Sequence, residues 1–119
     1  MSKKSDELVD QTQDLIETIK QLRDSLLDYQ RSCERLLKAG EQGRRASSTV
    51  ERLELLKFAD KREHLMQAMK AFEVARHNAR VGLVGVAEEE GSNLSEVAKT
   101  LGVSRQLMSR LTIEGRRQE

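Results

Sequence analysis

The side chains best suited to chemistry are gathered between Ser95 and Arg117: Ser95, Lys99, Ser104, Arg105, Gln106, Ser109, Arg110, Arg116 and Arg117. An arginine fork can bond guanine at two points, and a glutamine amide can do the same for adenine. Serine hydroxyls, a lysine ammonium and further arginines suit phosphate oxygens. The spacing is helical, since Arg105 and Gln106, then Ser109 and Arg110, recur at steps of three and four and so share a face. Charge follows the same partition. From Lys99 onward five basic residues stand against two acidic ones, although the whole chain of 119 residues carries a net charge of only +1. Positive charge is thus concentrated where these side chains are, as recognition of a base-bearing polyanion requires.

Other chemistries find less material. Cys33 is the single cysteine, which excludes an internal disulfide framework, and with only His64 and His77 beside it no zinc spacing exists. His64 adjoins Glu63, and His77 follows Glu73 by four residues, arrangements of a helix surface rather than of a general acid–base pair. No catalytic constellation, metal site or cofactor motif emerges, and the chain is not expected to be an enzyme. No run of apolar residues approaches the roughly 18 to 20 needed to cross a bilayer. The opening MSKKSDEL lacks the apolar stretch of a signal peptide, so a cytoplasmic protein is expected.

The elements that would position the basic cluster can be read from Asn93 to Ile113, NLSEVAKTLGVSRQLMSRLTI. Asn93 with Glu96 three residues on is a helix start. Ala98 is small where a second helix would cross the first closely. Gly102 stands where the chain must turn, and glycine takes positive φ without steric cost. Val97, Leu101, Val103, Met108 and Leu111 supply apolar contacts, while Ser104 caps the following helix. This stretch, about 21 residues of 119, resembles a bacterial helix-turn-helix. Its LGVSRQ run resembles resolvase DNA-binding ends and sigma-factor promoter-reading ends about equally. The resemblance implies that the second helix lies in the DNA major groove, with Arg105, Gln106, Ser109 and Arg110 at base edges. Arg116, Arg117, Lys99 and backbone amides near Ser95 would hold phosphates.

Upstream, a heptad runs through Leu8, Thr12, Leu15, Ile19, Leu22, Leu26, Tyr29, Cys33 and Leu36, the seam of a left-handed coiled coil. With Leu15, Leu22, Tyr29 and Leu36 at d, the residues Ile19, Leu26 and Cys33 fall at a. Val9, Ile16 and Leu37 widen the stripe beyond a two-stranded seam, which argues for packing against more than one helix. Ser5, Asp6 and Glu7 suit the helix start. Cys33 reads as a small buried hydrophobe. Gly40 and Gly43 predict a turn between about residues 40 and 48, and the RRxS run of Arg44, Arg45 and Ser47 reads as a solvated turn.

Ser48 with Glu51 is a capping box for a second amphipathic helix carrying Val50, Leu53, Leu55, Leu56, Phe58, Leu65, Met69 and Phe72. The two helices should form an antiparallel hairpin, and its wide stripe should recruit a second copy into a four-helix dimer. A third helical pattern places Ala75, Ala79, Leu83, Val86 and Ala87 on one face and stops at Gly91. Gly82 and Gly85 permit close helix crossing. Glu88, Glu89 and Glu90 are unfavourable beside DNA and should point away from it.

The absence of proline, 3% aromatic and 34% charged residues point to an all-α chain of long solvated helices. The expected architecture is a long N-terminal helical hairpin or coiled coil over residues 1–75 for dimerisation, through Leu8, Leu15, Ile19, Leu22, Leu26, Tyr29, Cys33 and Leu36. A helix-turn-helix unit over residues 76–119 follows. The expected function is that of a small dimeric bacterial DNA-binding protein, a transcription regulator acting in the nucleoid on double-stranded DNA. It would have no small-molecule ligand, since the chain leaves no room for an effector domain. One alternative is a nucleoid-associated architectural protein whose dimers or higher oligomers bridge DNA. Another is a coiled-coil module that binds a protein partner such as RNA polymerase without reading DNA.

Overall fold

The computed structural model describes residues 2–41 and 48–117. Among them the chain is all-α, with five helices and no strand: α1 Lys3–Glu41, α2 Thr49–Leu55, α3 Phe58–Glu89, α4 Leu94–Leu101 and α5 Arg105–Arg117. Gly43 and the run of Arg44, Arg45 and Ser47 lie outside the described residues. The chain divides into two compact units, one comprising Met1–Ile16 with Glu73–Glu119, the other Glu17–Phe72. The division at 72/73 falls three residues before the expected boundary at 75/76. The first sixteen residues group with the C-terminal unit, an association that a boundary drawn along the sequence has no means of expressing.

Helix α1 begins earlier than the Ser5 cap implied. Ser2 takes the cap position, its Oγ accepting from Ser5 N at 3.1 Å and its carbonyl from Asp6 N at 3.1 Å, which moves Ser5 into the first turn. Gly40 does not interrupt the helix, which runs on to Glu41. A single glycine costs about 1 kcal/mol of helix propensity, less than the neighbouring turns supply.

The second helix is broken where a single one was expected. Ser48 caps it, with Oγ accepting from Glu51 N at 3.1 Å, but α2 ends after seven residues. Lys57 then adopts φ 55°, a left-handed conformation rare for a residue with a side chain, before α3 begins. The break coincides with a phase change in the sequence. Val50, Leu53 and Leu56 step by three, whereas Phe58, Leu65 and Phe72 step by seven, and one continuous helix cannot turn both sets to the same partner. Helix α3 is unbroken through His77 and Asn78. It stops at Gly91, φ 76°, with Ser92 N donating to Ala87 O at 2.9 Å.

In the Glu17–Phe72 unit, α1 and α3 run antiparallel. Tyr29 meets Phe58 edge to face at 5.7 Å, while earlier along α1 Gln21, Asp24 and Ser25 line one shallow groove with His64, Gln67 and Ala68 of α3. The seam differs from the expected one. Leu22, Tyr29 and Leu36 are half-buried as anticipated, but they are joined by Thr18, Ser25 and Ser32, one position before Ile19, Leu26 and Cys33. Ser32 is fully buried, its Oγ accepting from Lys61 Nζ at 2.7 Å, with Asp28 3.4 Å from the same ammonium. Cys33 is exposed, contrary to its reading as a small buried hydrophobe. Small hydroxyl residues let the two helices approach and can bond to Lys61 or to the helix carbonyls, so they displace the bulkier apolar set to the flank.

In the other unit, Val81, Val84, Ala98, Met108 and Leu111 form a buried core ringed by Leu94, Val97, Leu101, Val103 and Leu107. The face expected of α3 holds at Ala75, which is buried, and at Ala79, Val86 and Ala87, which are half-buried, but is corrected at Leu83, which is exposed while Val81 and Val84 supply the buried contacts. Helix α3 is covered here on two sides, by α4 and α5 and by the start of α1, so its apolar residues do not confine themselves to one stripe. Of the two glycines expected to permit close crossing, Gly82 is tight, since a Cβ there would meet the Gln11 side chain of α1, whereas Gly85 leaves ordinary van der Waals room beside Lys4.

Candidate nucleic-acid interface

Local chemistry builds the helix pair as the sequence implies. Asn93 caps α4, its Oδ1 accepting from Ser95 N at 2.9 Å and Glu96 N at 3.4 Å. Gly102 closes the helix at φ 72° and ψ 30°, donating to the carbonyls of Ala98 and Lys99. Ser104 then opens α5, accepting from Leu107 N at 3.1 Å on Oγ and from Met108 N at 2.9 Å on its carbonyl. Ala98 is 4% exposed, so only a small side chain fits where α4 faces α5 and α3.

Helix α5 is fixed by one face and free on the other. Met108, Leu111 and Thr112 are buried, the Thr112 hydroxyl donating to Met108 O at 2.9 Å. Opposite them Gln106, Ser109, Arg110, Ile113 and Arg117 are exposed along one stripe. Arg105 is exposed at the start of the helix, and with Ser95, Ser109 and Arg116 it borders one cleft between α4 and α5. Lys99 is exposed on α4. Arg105, Arg110, Arg117 and Lys99 form no ion pair among the described residues, which leaves four cationic side chains available to an anionic partner.

Two expected phosphate contacts are already engaged. The Ser95 and Glu96 amides are taken by Asn93, so the amides near Ser95 reach a phosphate only if that cap opens. Arg116 is paired with Glu88 of α3, its Nε donating to Glu88 Oε1 at 3.0 Å. Glu88 was expected to point away from this surface and instead reaches its edge. A second link joins the same helices, His77 Nε2 lying 2.7 Å from Glu114 Oε2. Ile113, 48% exposed, lies on the same outward stripe, a position the sequence did not single out. Its signal is present in the spacing, three residues after Arg110 and seven after Gln106.

Among the described residues no group of three His, Cys, Asp or Glu side chains could hold a metal ion, and no helix is long and apolar enough to cross a membrane. No family model, curated protein or solved structure matches this chain.

Proposed function

We propose that this chain is a DNA-binding protein that acts as a homodimer and inserts α5 into the major groove as a transcription regulator in the nucleoid. One observation carries the reading: a helix anchored by Leu111, 1% exposed, turns Gln106, Ser109, Arg110 and Arg117 outward together. A rigid anchor matters because base readout needs donors held in register with the base edges. Gln106 and Arg110 supply bidentate contacts to adenine and guanine, and Ile113 supplies an apolar surface for a thymine methyl. Lys99 and Arg117 bind phosphates and set the register without reading sequence. Arg116 joins them only when it leaves Glu88.

Genomic footprinting of the tagged chain tests this. A limited set of sharp sites supports a regulator. A broad carpet of nearly sequence-blind binding would replace it with the architectural reading, and no enrichment would favour a coiled-coil module that binds protein instead.

A further inference from the structure

We propose that one side of the Glu17–Phe72 unit, formed by Ile19, Leu26 and Cys33 of α1 with Met66 and Met69 of α3, is the surface on which a second copy of this chain docks, running in the opposite direction. The inference deepens the dimer reading by naming its interface, and it is independent of whether the protein binds DNA.

These residues share a side by simple helical geometry. In an antiparallel pair of right-handed helices, residues that precede the seam positions project to one side of the pair, and residues that follow them project to the other. Gln21 and Asp24 precede the seam on α1, and His64, Gln67 and Ala71 precede it on α3; they line a single groove, largely polar. Ile19, Leu26 and Cys33 follow Thr18, Ser25 and Ser32, and Met66 and Met69 follow Leu65 and Ala68, so they lie together on the opposite side. Their exposures are 46% for Ile19, 50% for Leu26, 47% for Met66 and 46% for Met69. Within this unit Ala68 is the only buried hydrophobic residue among those described. A unit with so little apolar interior gains stability from a layer that covers this side.

Area and charge both point to a second copy as that layer. With Leu37, which is 65% exposed, these side chains present on the order of 500 Å² of surface, close to the apolar share of the ~800 Å² that each partner contributes to a standard interface. The charges beside the patch are divided between its ends. By the same rule Arg23 and Arg62 also lie on this side: Lys20, Arg23 and Lys70 stand toward the Ile19–Met69 end, while Glu34, Glu63 and Arg62 stand toward Cys33, so the first end is net positive and the second net negative. A copy running in the same direction would set lysine on lysine. A copy running in the opposite direction brings the net positive end of one chain to the net negative end of the other, which favours that orientation. The two-fold axis then passes near Leu26, and the two Cys33 residues, each about seven residues from it, are roughly 20 Å apart at 1.5 Å per residue.

The test is sedimentation of the full-length protein without DNA, for the wild type, for Ile19→Glu with Met69→Glu, and for Gln21→Glu with Gln67→Glu in the polar groove. The expected result is a dimer, a helical monomer and a dimer, respectively. A wild-type monomer at 100-fold dilution and at high concentration alike overturns the interface and the dimer together. A dimer that survives the first pair of substitutions overturns the interface alone. Mild oxidation supplies a readout without added charge, valid even if the charged variant unfolds. Leu26→Cys in a Cys33→Ser background should cross-link between chains, whereas the native Cys33 should not, since a disulfide requires Cα atoms within about 7 Å. The reverse pattern overturns the opposite-direction arrangement. Failure of DNA binding with these results intact would remove the DNA reading and leave the interface standing.

Discussion

Glu88, near the end of α3, accepts a hydrogen bond from Arg116 Nε at 3.0 Å and so occupies a cation at the end of the helix whose exposed stripe we assign to DNA. The Arg116 side chain is 61% exposed and that of Glu88 29%, so the pair contributes little to stability, on the order of 0 to 1 kcal/mol. Its larger effect is on the surface charge that DNA meets. Glu88→Gln should therefore leave the melting temperature nearly unchanged, strengthen binding to every duplex by severalfold and steepen the salt dependence by about one unit, as one more phosphate contact becomes available. Unchanged affinity and slope would mean that Arg116 does not face the duplex.

Leu111 and Val84, each 1% exposed, hold α5 against α3. Leu111→Ala should cost roughly 2 to 5 kcal/mol in denaturant unfolding, the range for a large-to-small change in a packed core. Ile113→Ala, on the opposite face, should cost less than about 0.5 kcal/mol. Equal losses at the two positions would contradict the division of α5 into an anchored face and a free one.

Lys57 stands at φ 55° between α2 and α3, where a Cβ is unfavourable. Lys57→Gly should stabilise the chain by up to about 1 kcal/mol by relieving that conformation. Lys57→Ala, which keeps the Cβ, should not. If the glycine variant were destabilised instead, the break between the two helices would be absent in solution.

Much of this was legible in the residues, for reasons that also explain the exceptions. The caps at Ser48, Asn93 and Ser104 and the turn at Gly102 depend on one side chain and the two or three residues beside it, so local chemistry determined them. The seam of α1 did not yield to the same reading. Apolar identity singled out Ile19, Leu26 and Cys33, but the contact within the chain uses Thr18, Ser25 and Ser32, because the partner helix brings Lys61 to bond Ser32. That pairing is separated by 29 residues and leaves no local trace. The engagement of Arg116 by Glu88, separated by 28 residues, was invisible for the same reason. The outward position of Ile113 depends on which face of α5 meets α3, and that is set by Val81 and Val84, about thirty residues away in sequence.

Ile113 gives a chemical test of the proposal that this stripe enters the groove. On a duplex chosen by selection from random sequences, replacing single thymines by uracil removes only the C5 methyl. One such replacement should weaken the wild type about fivefold or more while leaving Ile113→Ala unaffected, the pattern of a lost apolar contact. If every replacement acted alike on both proteins, Ile113 would not touch a base.

The central claim, that the exposed stripe of α5 reads DNA, is tested most directly by binding isotherms of single alanine substitutions at Gln106, Arg110 and Arg117, on the selected duplex and a scrambled one at several salt concentrations. Gln106→Ala and Arg110→Ala should each cost about 1 to 3 kcal/mol on the selected duplex and little on the scrambled one, so that the preference at particular base pairs relaxes. Arg117→Ala should weaken both duplexes equally and make the salt slope shallower by about one unit. Equal losses for all three on both duplexes would contradict sequence reading, and no loss for any of them would contradict DNA binding by this helix altogether.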